Sequence, residues 1–321
     1  MASKSIKRIS KDIKLYHTSN INEHGIYVYF NDKNIFSAKA LIMGPKDTPY
    51  QNGFYLFDII YPESYPQHPP KVKLQTLNSH TRFNPNLYTD GKVCLSILGT
   101  WSGPGWTPCL STNEVLLSIQ SLMNNNPIQN EPGYENLTLQ NSADARNYVD
   151  ILTYHNHKFA VIQTMDKIPH GFECFKEIIH QKFIELYDEN IANLKQNLEY
   201  ITKNPKLKQL KLRMYNLYAQ PDYKELIKSY DSYFTLINKI SYGKVSNSDN
   251  NNVLCDESKA SETESTQSAP KKEVKKRIPN QVAADYDQGF ITTSTNDNRE
   301  YMVKLVKGRG GSKHKRWVLV K

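Results

Sequence analysis

Asn84-Pro85-Asn86-Leu87-Tyr88-Thr89-Asp90-Gly91-Lys92-Val93-Cys94-Leu95-Ser96-Ile97-Leu98 sits inside a longer run, residues 78–111, that is punctuated by Gly, Pro and Asn and keeps no helical or strand period. In a compact domain, an irregular stretch of this length usually carries function. It holds Cys94, one of four cysteines, the others being Cys109, Cys174 and Cys255. Their separations include no C-x-x-C pair and no companion histidine spacing, so neither a disulfide framework nor a zinc site is expected. In a reducing compartment a special cysteine is then a nucleophile candidate.

Upstream of this loop, four short β-branched or aromatic runs, Ile26–Phe30, Ile35–Met43, Phe54–Ile60 and Val72–Gln75, are separated by turn-forming residues. Short links between consecutive strands predict an antiparallel meander. Between the last two strands, residues 61–70 contain four prolines and read as a rigid extended connector. Before the meander, Ile6, Ile9, Ile13 and Tyr16 make one apolar stripe on a helix whose other faces carry Lys4, Lys7, Arg8, Lys11 and Lys14. Beyond the loop a helix is predicted from Thr112, as N-cap, to Asn124, with Val115, Leu116, Ile119, Leu122 and Met123 on its buried face. Three more helical runs follow, about 143–166, 171–203 and 205–240.

The 321 residues allow two or three domains. Residues 243–276 are almost devoid of apolar side chains and read as a disordered linker. The last part regains alternation in Arg299–Val306 and Trp317–Val320, enough for a small hairpin or meander. No stretch has the roughly 18 uncharged apolar residues of a membrane span, and the charged N-terminus does not read as a signal peptide. An intracellular location, cytoplasm or nucleus, is the expectation. Lys and Arg number 41 against 32 Asp and Glu, a formal charge of +9 concentrated in the first helix and in the tail, where residues 304–321 carry seven Lys or Arg and no acid. That tail either contacts phosphates, as in nucleic acid, or is a solvated basic face.

Asn86 lies eight residues before Cys94, in an Asn-Pro-Asn and a Gly-x-x-Cys-Leu context. Here the chain resembles the ubiquitin-conjugating enzyme family. The match extends upstream through Met43-Gly44-Pro45-Lys46-Asp47-Thr48-Pro49-Tyr50 and Tyr65-Pro66-x-x-Pro69-Pro70-Lys71-Val72, and downstream through Trp106-Thr107-Pro108 and Val115–Leu122. Phe83–Asn86, Ile97–Trp101, Asn130–Glu135 and Arg146-Asn147-Tyr148 are similar to the large Z subtype, which also carries extra C-terminal helices. The resemblance implies an α+β fold with an N-terminal helix, a four-stranded antiparallel meander, the active-site loop and further helices. The expected domains are a catalytic core at 4–165, a helical extension at 166–242, the linker at 243–278 and a small basic β-rich tail at 279–321.

It also implies roles. Cys94 would accept ubiquitin or a ubiquitin-like modifier as a thioester from an activating enzyme and pass it to a substrate lysine, alone or with a ligase. Cysteine is nucleophilic enough to take an acyl group from another thioester without a dedicated base. The thiol has to sit shallow and reachable. Asn86 would supply an oxyanion donor, whose loss costs about 2.7–4 kcal/mol, or brace the loop that does. Glu131, in Asn130-Glu131-Pro132, matches the family's acidic residue that orients the attacking lysine, with one extra methylene. Lys4, Lys7, Arg8 and Lys11 would face an acidic surface of the activating enzyme. Pro108 and Thr107 match a ligase-binding loop, whereas Gln67 replaces the usual apolar ligase contact. Asn84 stands where the family usually has His. No cofactor is expected, ATP being consumed by the activating enzyme.

Other readings compete. A Cys–His hydrolase would pair His80 with Cys94, but no orienting Asn or Asp arrangement accompanies that pair. His155, His157, His170 and His180 read as surface histidines without metal. Cys109 reads as structural. The alternative within the same fold is a catalytically inactive module that only binds ubiquitin, and the retained Cys94 and Asn86 argue against it.

Overall fold

The computed structural model describes residues 2–78, 80–246, 291–293, 300–307 and 313–319. They fall into two compact units, one within residues 1–252 and one within 253–321. In the first, helix α1 (Ala2–Thr18) leads into strands β1 (Ile26–Phe30), β2 (Ser37–Met43), β3 (Phe54–Ile60) and β4 (Lys71–Leu74), paired antiparallel in the order β1-β2-β3-β4. The register sets Ala40 opposite both Val28 and Phe57, and Ile59 opposite Val72. This is the expected meander, with strand ends shifted by one or two residues.

Helix α2 (Thr112–Leu122) buries Val115, Leu116 and Ile119 in the common core. Its N-cap is Ser111, one residue earlier than expected. Ser111 accepts from Asn113 N at 3.2 Å, and Glu114 Oε2 accepts from Ser111 N at 2.7 Å, a capping box. Thr112 is engaged elsewhere, its N–H and hydroxyl donating to Asp12 of α1 at 3.1 and 3.2 Å. A carboxylate buried at the start of a helix is favoured by the unpaired N–H groups there.

The chain continues as α3 (Ala143–His155), π-helical turns at Asn156–Gln163, and a last turn α4 (Thr164–Asp166). The run expected over 171–203 divides into α5 (Lys176–Glu185) and α6 (Tyr187–Lys203). The run expected as helix over 205–240 is half wrong. Residues Leu210–Leu212 (β5) and Leu217–Ala219 (β6) form an antiparallel hairpin, and apart from a short 3-10 turn at Pro205–Lys208 the regular helix is α7 (Tyr223–Ser246). Pro205 and Pro221 bracket the hairpin, and its turn carries Tyr215 and Asn216 at φ 63° and 51°, which no helix accommodates.

The extension shares one apolar core with the meander: Ile179, Phe183, Leu194 and Tyr230 belong to the same buried cluster as Leu41 and Phe57. Residues 54–57 of β3 are buried without alternation, the mark of a sheet covered on both faces. Gln51 and Asn52, in the β2–β3 turn, donate to Glu189 and Asn190 of α6 at 3.1 Å each. Asn156 accepts from Tyr55 Oη at 2.8 Å so close to Gly53 that a Cβ there would come within 1.9 Å of its Oδ1. His155 and His157, expected at the surface, are buried at 6% and 4% exposure. Their rings bond Thr81 Oγ1 and Tyr230 Oη, each at 2.8 Å, and burial lowers both pKa values to about 4.

In the second unit, β7 (Ile291–Thr293), β8 (Glu300–Lys307) and β9 (Lys313–Leu319) form an antiparallel sheet in that order. Most of the expected linker lies outside the described residues. No described helix is long and apolar enough to cross a membrane, and no described group of three or more His, Cys, Asp or Glu could hold a metal.

Candidate active site

The loop after β4 is held in shape by amides. Asn84 is fully buried. Its Nδ2 donates to Tyr50 Oη at 2.9 Å and to the Leu122 carbonyl at the end of α2 at 2.7 Å. Its Oδ1 accepts from Asn86 N at 3.0 Å and from Asn130 Nδ2 at 3.3 Å. Every polar atom of that side chain is used, so a buried amide carries no unpaired cost. Tyr50 passes the connection on, donating to the Phe83 carbonyl at 2.6 Å.

Asn86 and Cys94 are paired in both directions. Cys94 N donates to the Asn86 carbonyl at 2.8 Å, and Asn86 Nδ2 donates to the Cys94 carbonyl at 2.9 Å. The side chain of Asn86 is therefore a brace on the cysteine's own peptide in this state, and serving an oxyanion would require Nδ2 to leave that carbonyl. Asn86 Oδ1 is buried with no hydrogen-bond partner among the described residues. Thr100 closes the far side of the loop, accepting from Leu95 N at 2.9 Å and donating to the Val93 carbonyl at 2.7 Å.

Cys94 itself departs from expectation, with 1% exposure. Its immediate neighbour Val93 is 1% exposed and Leu98 8%, so the loop turns its apolar residues inward and takes the cysteine with them. An open cavity of about 510 Å³ flanks the loop, walled by Pro69, Pro70, Val72, Val93, Leu98 and Thr100. Cys109 and Cys174 are exposed. His80, at the surface, has no bond to Cys94 among the described contacts.

Glu131 follows the short helical turn Pro127–Asn130 and is half-buried. Its neighbour Asn130 reaches Asn84 as above and the Leu122 carbonyl at 2.9 Å, which ties Glu131's backbone to the web around Cys94. Glu131 accepts a hydrogen bond from the hydroxyl of Tyr215, in the β5–β6 turn of the extension.

Residues 8–155 match the family model for ubiquitin-conjugating enzymes. This segment is a ubiquitin-conjugating enzyme domain. Ubiquitin-conjugating enzyme E2 Z of Xenopus tropicalis is 41% identical over 188 residues, covering 58% of this chain and 59% of that protein. The human E2 Z is 42% identical over 188 residues, covering 58% of this chain and 52% of its own length. The mouse dual E2 ubiquitin-conjugating enzyme/E3 ubiquitin-protein ligase BIRC6 is 42% identical over 186 residues, 53% of this chain and 4% of that protein. The chain thus spans little more than half the length of the E2 Z proteins it matches. Cys94, Asn86 and Glu131 of the ubiquitin-conjugating domain all lie on the one web just described.

The residues expected to face partners are placed differently from one another. Lys4, Lys7 and Lys11 are exposed on α1. Arg8 is not free. Its Nε contacts Asp12 at 2.8 Å, its guanidinium donates to the carbonyls of Pro108 and, at 2.5 Å, Leu110, and its side chain is only 16% exposed. Asp12, 2% exposed, also accepts from Tyr65 Oη. Arg8 therefore anchors the loop that carries Thr107 and Pro108, both exposed. Gln67 is exposed beside them, where Trp106 Nε1 donates to the Pro66 carbonyl at 2.7 Å.

The sequence showed Tyr50 and Asn130 only as members of matched motifs, and gave no part to Arg82 or Tyr215. Asn84 was visible only as a departure from the family's histidine, and nothing in its type announces a four-bond junction. Tyr215 lies 84 residues from Glu131 and carries no local signal.

Proposed function

We propose that this chain is an active acyltransferase: Cys94 accepts ubiquitin or a ubiquitin-like modifier from an activating enzyme and transfers it to a substrate lysine. The observation that carries the reading is the reciprocal pairing of Asn86 with the peptide of Cys94, inside a matched ubiquitin-conjugating domain. Charging forms a bond between Cys94 Sγ and the modifier's terminal carbonyl carbon. It breaks that carbon's bond to the activating enzyme's sulfur, which leaves as thiolate, and the proton from Cys94 passes to solvent. The Asn86 brace keeps the peptide around the reacting sulfur in one arrangement, so little reorganisation is needed at the moment of attack. Cys94 is 1% exposed, so its thiol has to be uncovered before charging. In discharge an amine nitrogen bonds to the thioester carbonyl carbon and gives up a proton to solvent, the C–S bond breaks and Cys94 departs as thiolate. Glu131 orients that amine.

The exposed Lys4, Lys7 and Lys11 support docking of α1 on an acidic surface of the activating enzyme, where opposite charge mainly raises the association rate. Thr107 and Pro108 offer a ligase contact, with Gln67 beside them. The reaction calls for no cofactor on this chain, and the protein works inside the cell. The test is incubation with activating enzyme, ATP and ubiquitin, repeated with other enzyme and modifier pairs. A reducible band on a non-reducing gel that vanishes in Cys94→Ser is expected. A wild-type chain that never charges would favour the inactive binding module.

A further inference from the structure

Three features converge where the extension meets the catalytic loop. First, the β5–β6 turn holds Tyr215 at φ 63° and Asn216 at φ 51°, a left-handed conformation that a bulky residue rarely adopts without a compensating purpose. Second, that strained turn puts the Tyr215 hydroxyl on Glu131 Oε2, and among the described residues nothing bonds Oε1. Third, the Tyr215 ring centre lies 4.2 Å from the Arg82 guanidinium, which also packs 3.7 Å from the centre of Tyr88. Arg82 Nη2 donates to the Pro85 carbonyl at 2.5 Å, one residue before Asn86, and the Arg82 carbonyl accepts from Tyr148 of α3 at 2.9 Å. Tyr215 thus touches both ends of the web around Cys94: the Arg82–Asn86 entry and the Asn130–Glu131 exit.

We propose that Tyr215 is a positioning residue for Glu131, through which the C-terminal extension sets the rate of transfer to amines. The inference rests on the reading of Cys94 as the thioester carrier. A glutamate has one more rotatable bond than an aspartate and so loses more freedom when it must present its carboxylate in one direction. The Tyr215 hydroxyl removes that freedom by fixing Oε2, and Oε1 is left to accept a hydrogen bond from the incoming nitrogen. A thiol nucleophile, which attacks as a thiolate with no N–H to orient, has no use for that oxygen.

The test uses the full chain charged with labelled ubiquitin, followed by single-turnover discharge to free lysine and, separately, to 2-mercaptoethanol. Tyr215→Phe keeps the ring on Arg82 and removes only the hydroxyl. Discharge to lysine should slow roughly three- to ten-fold, the range of one net hydrogen bond, while discharge to the thiol keeps its rate. In a Glu131→Gln background the same substitution should slow lysine discharge no further. An unchanged lysine rate, an equal loss with both nucleophiles, or an undiminished loss in the Glu131→Gln background would each overturn the proposal. Failure of the wild-type chain to charge would instead overturn the acyltransferase reading, and this inference with it.

Discussion

Replacing Arg8 separates a structural cation from its solvated neighbours on the same helix. In Arg8→Ala, Asp12 keeps its burial and loses its cation, while the carbonyls of Pro108 and Leu110 lose a donor. Removing one partner of a buried, hydrogen-bonded pair costs about 3–5 kcal/mol. The 16% exposure of Arg8 lets water replace part of what is lost, so we take the lower end, about 3 kcal/mol. For a unit of this size each 1 kcal/mol moves the melting temperature by about 2–4 °C, which gives a drop of roughly 6–12 °C. Lys7→Ala, one residue away and exposed, should leave the melting curve where it was. The assay is calorimetry or circular dichroism on both variants, with charging rates at low salt measured alongside. The signature is a split: Arg8→Ala lowers the melting temperature, and Lys7→Ala slows charging. Equal and negligible thermal shifts, with both variants slowing charging alike, would show that Arg8 is one more docking cation and refute the reasoning.

Three further outcomes follow from the geometry. With Cys255 replaced by Ser, a bulky maleimide should label Cys109 and Cys174 at least about ten times faster than Cys94, and mass mapping that finds Cys94 labelled first would contradict its burial. Asn84→Ala leaves Asn86 N without its acceptor and takes one of two partners from Tyr50 Oη, the Leu122 carbonyl and Asn130 Nδ2, and should cost about 1–3 kcal/mol in urea unfolding while slowing charging; no measurable loss would mean that water fills the junction. Acidification acts on His155 and His157, whose folded pKa values of about 4 mean that the unfolded chain takes protons the folded one refuses, so stability falls from about pH 6.5 toward 4 by up to roughly 3 kcal/mol per ring. Asp150, pushed up by burial to about 6, binds its proton earlier in the folded state and offsets part of that loss, so Asp150→Asn should lose stability more steeply with falling pH than the wild type; parallel curves would remove the Asp150 assignment, and an Asp150→Asn stability that stays flat from about pH 6.5 to 4 would remove that of the histidines.

The meander was legible because each strand is a short β-branched or aromatic run bounded by Gly, Pro, Asn or Asp, and because the cysteine loop lacks any period. The hairpin was not. Leu210-Lys211-Leu212 and Leu217-Tyr218-Ala219 are three residues each, too short for a period of two to stand out from a helical stripe. Ser111 and Thr112 are equally good capping residues by type, and only Asp12, 100 positions away, decides that Thr112 is occupied elsewhere. Arg8 and Lys7 look alike in a basic helix, since what distinguishes them is the 3.6-residue phase that turns one toward the Pro108 loop. The histidines read as surface residues because their partners, Thr81 and Tyr230, lie 74 and 73 residues distant. At the candidate site Cys94, Asn86 and Glu131 were readable as a motif, while the groups that hold them come from remote segments.

The junction at Asn84 bears on how the loop meets changes of acidity. A carboxamide neither gains nor sheds a proton across the range in which cells live, and its partners Tyr50, Asn86, Asn130 and a main-chain carbonyl share that indifference. Acidified and alkaline compartments therefore find this junction under the sulfur equally taut.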